Sequence, residues 1–278
     1  MKPHFVAEVD EVGLLRLQKF MQTKLVKRTP KGVELTTSGE AVYAHARRLR
    51  LAVEDISREV TDLGRGHAGH LRIASAASFA NHLVPLACEN LLKEAPKITL
   101  RMTVADRGDM LTALRGGELD LVVATLQVPD YEDLVVEHLF DDDYVVYAAA
   151  SHRLARRRLL TLVDLTGERW AMGSIDGPTE RLLRQAFGNA GLPSPRIAIE
   201  TAYLPARNNL IATSELLGFT SRSAVRYASR NLPLTELRVK HLAYTRRVGV
   251  VYRKDSYLSP AARRFIEILK ATARKISG

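Results

Sequence analysis

Hydroxyl-bearing side chains follow the ends of several predicted strands, where they could bind a small ligand. The first predicted strand ends in Ser75-Ala76-Ala77-Ser78, directly before a predicted helix. Backbone N–H groups and a hydroxyl at such a junction can hold a carboxylate or another anion, because a helix N-terminus carries partial positive charge. Serines at this position also serve simply as helix caps.

Similar residues follow the other predicted strands. In open parallel sheets, ligands bind in the crevice beyond the carboxyl ends of the strands. We therefore expect seven residues to line such a crevice: Ser75, Ala76, Ser78, Thr125, Thr179, Tyr203 and Thr220.

No catalytic or metal-binding pattern accompanies these residues. The eight histidines are scattered, without the short paired spacing of zinc ligands. The sequence contains neither G-x-S-x-G nor Walker A, and no G-x-G-x-x-G follows a predicted strand. Cys88 lies on an apolar helix face, which is typical of a core residue, and Asp141-Asp142-Asp143 is interpreted as an acidic loop before a strand. We expect no enzymatic activity, no metal and no cofactor.

The elements that position the crevice begin at Leu71, where predicted strands and helices start to alternate. Strands at 71–75, 98–104 and 121–124 have helices between them, and this βαβαβ order predicts a parallel sheet covered by helices. A second unit of the same kind is predicted for about 149–242. A further strand and a final helix that starts at Ser259-Pro260 complete the chain.

The N-terminal part of the chain is basic. The whole sequence has a net charge of +10, and residues 16–50 contain nine basic and two acidic side chains. Residues 24–36 read as two short strands around a Pro-Lys-Gly turn. Lys27, Arg28 and Lys31 lie at its tip, where they can contact a phosphate backbone without reading sequence. A solvated basic surface is the alternative interpretation.

The next segment predicts a long helix with a narrow apolar stripe. Apolar residues recur at alternating spacings of four and three, which is typical of a helix that pairs with another helix. Packing on the core of its own chain is the alternative. The stripe consists of Val42, Ala46, Leu49, Val53, Ile56, Val60 and Leu63.

Residues 17–20, 25–36 and Ser38-Gly39-Glu40 together resemble the LysR family of transcriptional regulators. They match the end of its recognition helix, its wing and the start of its dimerisation helix, and the resemblance continues through nearly all of the remaining chain. It implies an α/β fold with a two-lobed, periplasmic-binding-protein-like effector domain. A long dimerisation helix and a winged helix-turn-helix precede that domain in the family. The resemblance also implies that the hydroxyl-lined crevice is the inducer pocket.

The resemblance predicts three domains. These are a truncated winged helix-turn-helix at 1–36, a dimerisation helix at 37–66 and the effector domain at 67–278, with lobe I at about 67–147 and 245–278 and lobe II at about 148–244. The head is interpreted as truncated because Phe5-Val6-Ala7-Glu8 resembles the family's first helix, whereas residues 12–16 lead straight to the end of the recognition helix. Roughly 20 residues of helix and turn are missing from that comparison.

These features predict a DNA-binding transcriptional regulator that senses a small-molecule inducer, with anions among the candidates, and alters promoter transcription. We expect a homodimer or tetramer. The alternative is a stand-alone ligand-binding dimer that has lost sequence-specific DNA binding with its recognition helix. One cysteine and the lack of an apolar signal segment predict a cytoplasmic location and no membrane contact.

Overall fold

The structure, a computed structural model, describes residues 11–30, 32–65, 69–126, 132–174, 177–240, 242 and 244–277. Contacts divide the chain into two compact units, Met1–Ser57 and Arg58–Gly278. The helices are α1 (Glu11–Phe20), α2 (Thr37–Arg65), α3 (Ala77–Ala80), α4 (Leu83–Glu94), α5 (Arg107–Arg115), α6 (Pro178–Asn189), α7 (Leu204–Ala212), α8 (Arg222–Ala228) and α9 (Pro260–Ser277). The strands are β1 (Val26–Thr29), β2 (Gly32–Leu35), β3 (His70–Ser75), β4 (Thr99–Val104), β5 (Leu121–Thr125), β6 (Leu134–Ala149), β7 (Arg169–Met172), β8 (Arg196–Glu200), β9 (Leu217–Ser221), β10 (Leu234–Leu237) and β11 (Tyr244–Arg253).

The predicted basic hairpin is confirmed in the first unit. β1 and β2 pair antiparallel, with Val26 opposite Leu35 and Thr29 opposite Gly32. Gly32 has a φ of 121°, a conformation that glycine adopts without steric cost. The turn residue Lys31 lies outside the described residues, as does the segment at 5–8 that was compared with a first helix.

A close backbone approach explains the glycine in the Ser38-Gly39-Glu40 motif. A Cβ atom on Gly39 would lie 1.9 Å from the carbonyl oxygen of Leu25, so any side chain would push the start of α2 away from the hairpin. The Thr36 hydroxyl accepts a hydrogen bond from the Gly39 N–H (3.0 Å) and donates one to the Lys24 carbonyl (2.6 Å). These contacts cap α2 and fix it to the segment that precedes β1.

The second unit contains one mixed sheet in place of the purely parallel sheets that the sequence predicts. Its strand order is β4-β3-β5-β11-β6-β9-β7-β8, and β10 pairs with β6. β3 is parallel to β4 and β5, and β7 is parallel to β8 and β9, so both predicted βαβ units are present. Between them lie β6 and β11, which are antiparallel to each other.

These two long strands connect the lobes. β6 pairs with β11 from Leu134 to Tyr144, and from Tyr144 to Ala149 it also pairs with β9 and β10. The pairing of β6 and β11 shifts register between Val248 and Gly249. Two shared strands are the connection that allows two lobes to open and close around a ligand.

Separate apolar cores stabilise the two lobes. In lobe I, α4 and α9 cover one face of the sheet, and α9 buries Phe265 and Leu269 with Ala262 and Ala273 at helical spacing. Cys88 is half-buried against this core, where burial raises the pKa of its thiol to about 11. It therefore remains protonated at neutral pH, in agreement with a core role.

The core of lobe II is built around its largest side chain. The fully buried Trp170 packs edge-on against Phe187 of α6, with 6.3 Å between the ring centroids. On the opposite face, Tyr147 and Ile211 belong to a second cluster beneath α7 and α8. Helices therefore cover both faces of the sheet in this lobe.

Candidate ligand-binding site

A buried ion pair lies on the strands that join the lobes. Arg246 of β11 donates from Nη2 to Oδ2 of Asp142 in β6 over 3.1 Å. Both residues are buried, with 8% and 4% of their surface exposed. Arg246 also reaches lobe I, because both of its terminal nitrogens lie 3.3 Å from the Ser78 hydroxyl. The pair therefore connects the crossover strands to α3, the short helix that follows β3.

Asp142 is also the acceptor for the start of α8 in lobe II. Its carboxylate accepts the Ser223 hydroxyl (2.6 Å) and the Ser223 backbone N–H (3.2 Å). Because that hydroxyl donates to Asp142, its oxygen is left to accept from Nε2 of His82, which lies 3.1 Å away. His82 belongs to lobe I, so this hydrogen bond joins the two lobes directly. We refer to Ser78, His82, Asp142, Ser223 and Arg246 as the crevice cluster.

Aromatic rings hold the Arg246 guanidinium in place. Its central carbon lies 4.4 Å from the ring centroid of Phe79 and 5.0 Å from that of Tyr144. The Tyr144 hydroxyl accepts from Nη1 at 3.4 Å. Cation–π contacts of this kind stabilise an arginine side chain in a fixed orientation. The Arg246 guanidinium is therefore held in a fixed orientation beside Asp142.

The interpretation of Asp141-Asp142-Asp143 as an acidic loop before a strand is wrong. All three residues lie inside β6, where successive side chains point to opposite faces. Asp142 points toward the other members of the crevice cluster. Asp143 points to the other face of the strand, where its carboxylate contacts Arg222 and accepts a hydrogen bond from the Thr245 hydroxyl (2.6 Å). The hydrogen bonds from Thr245 and Arg222 lower the pKa of Asp143. Within the described residues, no group of three or more His, Cys, Asp or Glu could hold a metal ion.

The structure places the predicted residues of lobe I around the end of β3. The Ser75 hydroxyl is buried and lies 3.4 Å from the Ala76 carbonyl, and the Ala76 N–H donates to Val123 in β5 (3.3 Å). Thr125 ends β5 opposite Val248 of β11. Among the described hydrogen bonds of these residues, those of Ser78 with Arg246 reach the crevice cluster. Ser78 is the second residue of α3, which has only four residues, so Arg246 rather than a helix dipole supplies positive charge there.

The predicted residues of lobe II are more dispersed. Thr179 is the second residue of α6, and Thr220 is buried in β9 opposite Val145. Tyr203 precedes α7 and is 67% exposed, and its N–H donates to the Thr201 hydroxyl (3.2 Å). Thr179 and Tyr203 follow strands of lobe II, and Thr220 is the penultimate residue of β9, but no described hydrogen bond joins their side chains to the crevice cluster.

The charged residues of the cluster were missed by the sequence analysis. Asp142 and Arg246 are 104 positions apart, and His82 and Ser223 are 141 apart. One signal in the sequence could have indicated Asp142. Asp142, Tyr144 and Val146 are spaced by two residues and therefore share one face of a strand, which places an acidic side chain on a largely apolar face. A buried charge in such a pattern requires a partner.

Acidification is expected to destabilise the second unit through His82. Desolvation lowers the pKa of the buried His82 from 6.5 to about 4, although Asp142 opposes the shift. As the pH falls, His82 therefore takes up a proton in the unfolded chain before it does so in the folded chain. Its contribution to stability is complete above pH 6.5, and it is lost as the pH falls from 6.5 toward 4. The loss is about 3 kcal/mol at the lower end.

This loss is measured as the free energy of unfolding in urea between pH 7 and pH 4. In a His82→Gln variant, the free energy of unfolding should change less with pH. Burial also lowers the pKa of His152, but this histidine is present in both proteins and affects their pH dependence equally. Equal slopes for the wild type and the variant would contradict the assignment to His82.

Comparison with known proteins identifies both domain type and fold. The family model described as the LysR substrate binding domain matches residues 64–274. GalR of Pseudomonas putida, an HTH-type transcriptional regulator, is 28% identical over 244 residues, which are 86% of this chain and 60% of that protein. The chain thus spans 60% of the length of this relative.

Solved structures show the same fold at low sequence identity. A full-length OxyR variant from Pseudomonas aeruginosa has a TM-score of 0.67 at 19% identity, covering 95% of this chain and 84% of its own. The regulatory domain of CcmR from Synechocystis, in complex with 2-PG, has a TM-score of 0.63 at 21% identity and covers 74% of this chain and 98% of its own.

Proposed function

Since the chain belongs to the LysR family, we propose that it regulates transcription by sensing a small molecule between the lobes of its effector domain. The observation that carries this proposal is the crevice cluster, in which a lobe-I histidine, a lobe-II serine and an ion pair on the crossover strands share hydrogen bonds. A ligand that enters there must replace or rearrange these bonds. It therefore acts on the contacts that hold the lobes together.

Thermodynamics sets the requirement for such sensing. A ligand shifts the lobes only by as much as its affinity for one arrangement exceeds its affinity for the other. The His82–Ser223 bond joins the lobes directly, so a ligand that accepts or donates to either group changes the free energy of closure. The CcmR regulatory domain, which shares the fold, was solved with 2-PG, and this supports a small ligand for the crevice. The residues at the strand ends, Ser75 to Thr220, are proposed as its lining.

The exposed stripe on α2 supports pairing with a second copy. Leu49, Val53, Ile56 and Val60 are between 61% and 69% exposed in the single chain. An apolar stripe at heptad spacing is stable in water when another helix covers it. We propose that residues 37–66 dimerise the protein, as resemblance to the family implies. The side chain of Leu63, the last member of the stripe, lies outside the described part.

The hairpin supports contact with DNA in the cytoplasm, where a transcriptional regulator meets its promoter. Lys27 and Arg28 are exposed on β1, and Lys27 forms an exposed ion pair with Glu34 over 3.2 Å. Such a pair is weak in water, so Lys27 is free to contact phosphate instead. No helix in the described part of the chain is long and apolar enough to span a membrane.

The proposal is tested by fluorescence anisotropy with native upstream DNA and random DNA at several salt concentrations. Binding through the hairpin releases counterions, and log K falls with log salt by about 0.9 for each phosphate contact. A double variant, Lys27→Gln with Arg28→Gln, is expected to reduce this slope by about 2 per protomer. The matched control is Arg101→Gln, which removes an exposed charge from β4.

The two outcomes separate the two predicted functions. A strong preference for one upstream fragment supports a sequence-reading regulator. Weak binding that ignores sequence would contradict it and favour the ligand-binding dimer. A slope that the hairpin variant leaves unchanged would contradict the role of Lys27 and Arg28.

A further inference from the structure

Lobe II contains a buried cation that has no acidic partner among the described residues. Arg207 is 8% exposed, and its Nε has no hydrogen-bond partner among the described residues. Arg246 is equally buried but pairs with Asp142 over 3.1 Å. Within the described part of the chain, no carboxylate forms a salt bridge with Arg207. A buried guanidinium without a counterion is energetically costly.

The described neighbours of Arg207 do not neutralise its charge. The Tyr147 phenol is adjacent, and although burial raises the pKa of that phenol, the charge of Arg207 opposes the shift. A tyrosine with a raised pKa stays neutral, and it already donates its proton to Oδ1 of Asn208 over 2.8 Å. Tyr147 can therefore orient the Arg207 guanidinium, but it cannot compensate the positive charge of that group.

Arg207 lies at the edge of lobe II where ligands bind in sheets of this kind. It is the fourth residue of α7, and its Nη1 lies 3.2 Å from the point where a Cβ atom of Gly173 would stand. Gly173 directly follows β7, so the guanidinium lies beyond a carboxyl end of the parallel strands. A side chain at position 173 would crowd it, and glycine leaves that space open.

The same edge faces lobe I. β9 is parallel to β7 and ends at Ser221, and Ser223 just beyond it bonds to His82 of lobe I. The carboxyl ends of β7 and β9 are neighbours in the sheet. Arg207 is thus at the edge of lobe II that carries the carboxyl ends of β7 and β9, the same edge from which Ser223 reaches lobe I.

We propose that Arg207 binds the oxyanion group of the small molecule that this crevice accommodates, so that the ligand is an organic carboxylate or phosphate. The inference rests on the proposed function for the location of the ligand. The planar guanidinium presents two donors in a fixed fork that matches a carboxylate or a phosphate. Asp142 already compensates the charge of Arg246, whereas no described carboxylate compensates that of Arg207, so Arg207 supplies the charge that selects an anion.

The test is the thermal unfolding temperature of the full chain in inorganic phosphate or acetate, compared with chloride at the same ionic strength and without DNA. A ligand that binds only the folded state raises this temperature by roughly 3 °C or more when its concentration is about twentyfold above its dissociation constant. We expect the wild type to gain stability from phosphate, from acetate or from both, and the difference between the two arms distinguishes a phosphate from a carboxylate ligand.

Variants assign this gain to the guanidinium. Arg207→Met should abolish it, and Arg207→Lys, which keeps the charge but loses the fork, should retain a minor part. The control is Arg196→Gln, which removes an exposed arginine at the amino end of β8, on the opposite edge of the sheet, and should behave as the wild type.

The proposal is overturned if neither anion exceeds chloride in the wild type, or if Arg207→Met keeps the gain. Should the methionine variant not fold, an undiminished gain in Arg207→Lys overturns it instead. Because DNA is absent, failure of promoter binding leaves this measurement unaffected. A neutral inducer would leave the proposed function intact and exclude this ligand class.

Discussion

Replacing Asp142 with alanine is expected to lower the free energy of unfolding of the second unit by about 3–5 kcal/mol, because it leaves a buried arginine uncompensated. Asp142 accepts hydrogen bonds from Nη2 of Arg246 and from both the hydroxyl and the N–H of Ser223. All of these donors would lose their acceptor at once. The exposed neighbour Asp141→Ala is the matched control and should change stability by less than about 0.5 kcal/mol.

Two further variants separate the charge of Asp142 from its hydrogen bonds. Asp142→Asn retains an acceptor but not the charge, so its loss should be intermediate. In the double variant Asp142→Ala with Arg246→Met, the unpaired cation is removed, and much of the lost stability should return. Chemical denaturation of each protein in urea measures these differences. A loss below about 1 kcal/mol for Asp142→Ala would show that the ion pair contributes little to the folded state.

The order of elements was predictable because local patterns determine it. The strands and helices around Leu71 and the final helix after Ser259-Pro260 follow from apolar periodicity and cap residues, and the structure reproduces them within a few positions. The mixed sheet was not predicted. β6 and β11 pair over a long sequence separation, and no local pattern distinguishes a strand that crosses between lobes from one that stays in its own.

The location of the candidate site remains a prediction, and the charged residues that the structure places near it were not predicted. Hydroxyl groups at strand ends indicated the edge of the sheet, and Ser78 does lie in the crevice cluster. The charged members were missed because each depends on a partner far along the chain. Arg207 has no distinguishing sequence signal at all, since an arginine on a helix is normally exposed. Its burial, without a carboxylate partner in the described part of the chain, makes it a candidate only in three dimensions.

The predicted pairing of α2 also leads to an expected result: Ile56→Glu should convert the dimer into a monomer at micromolar concentration. In a symmetric helix pair each substitution occurs twice, and burying one isoleucine contributes about 1.5–3 kcal/mol. The expected loss of about 3–6 kcal/mol corresponds to a hundredfold or greater rise in the dissociation constant of the dimer. Ile56 is 61% exposed in the single chain, so the substitution does not open a cavity in the protomer.

The opposite side of the helix shows why the stripe, rather than α2 as a whole, should govern pairing. Leu51 and Asp55 are buried, with 6% and 7% exposure, whereas Val53 and Ile56 are exposed. The helix therefore has one face covered within its own chain and one apolar face that is not. Thr61→Glu is the matched control, because it places the same charge on an exposed residue of α2 outside the stripe, and it should leave the dimer intact. Sedimentation velocity over a dilution series measures both variants, and an Ile56→Glu protein that stays dimeric would mean that another surface holds the two copies together.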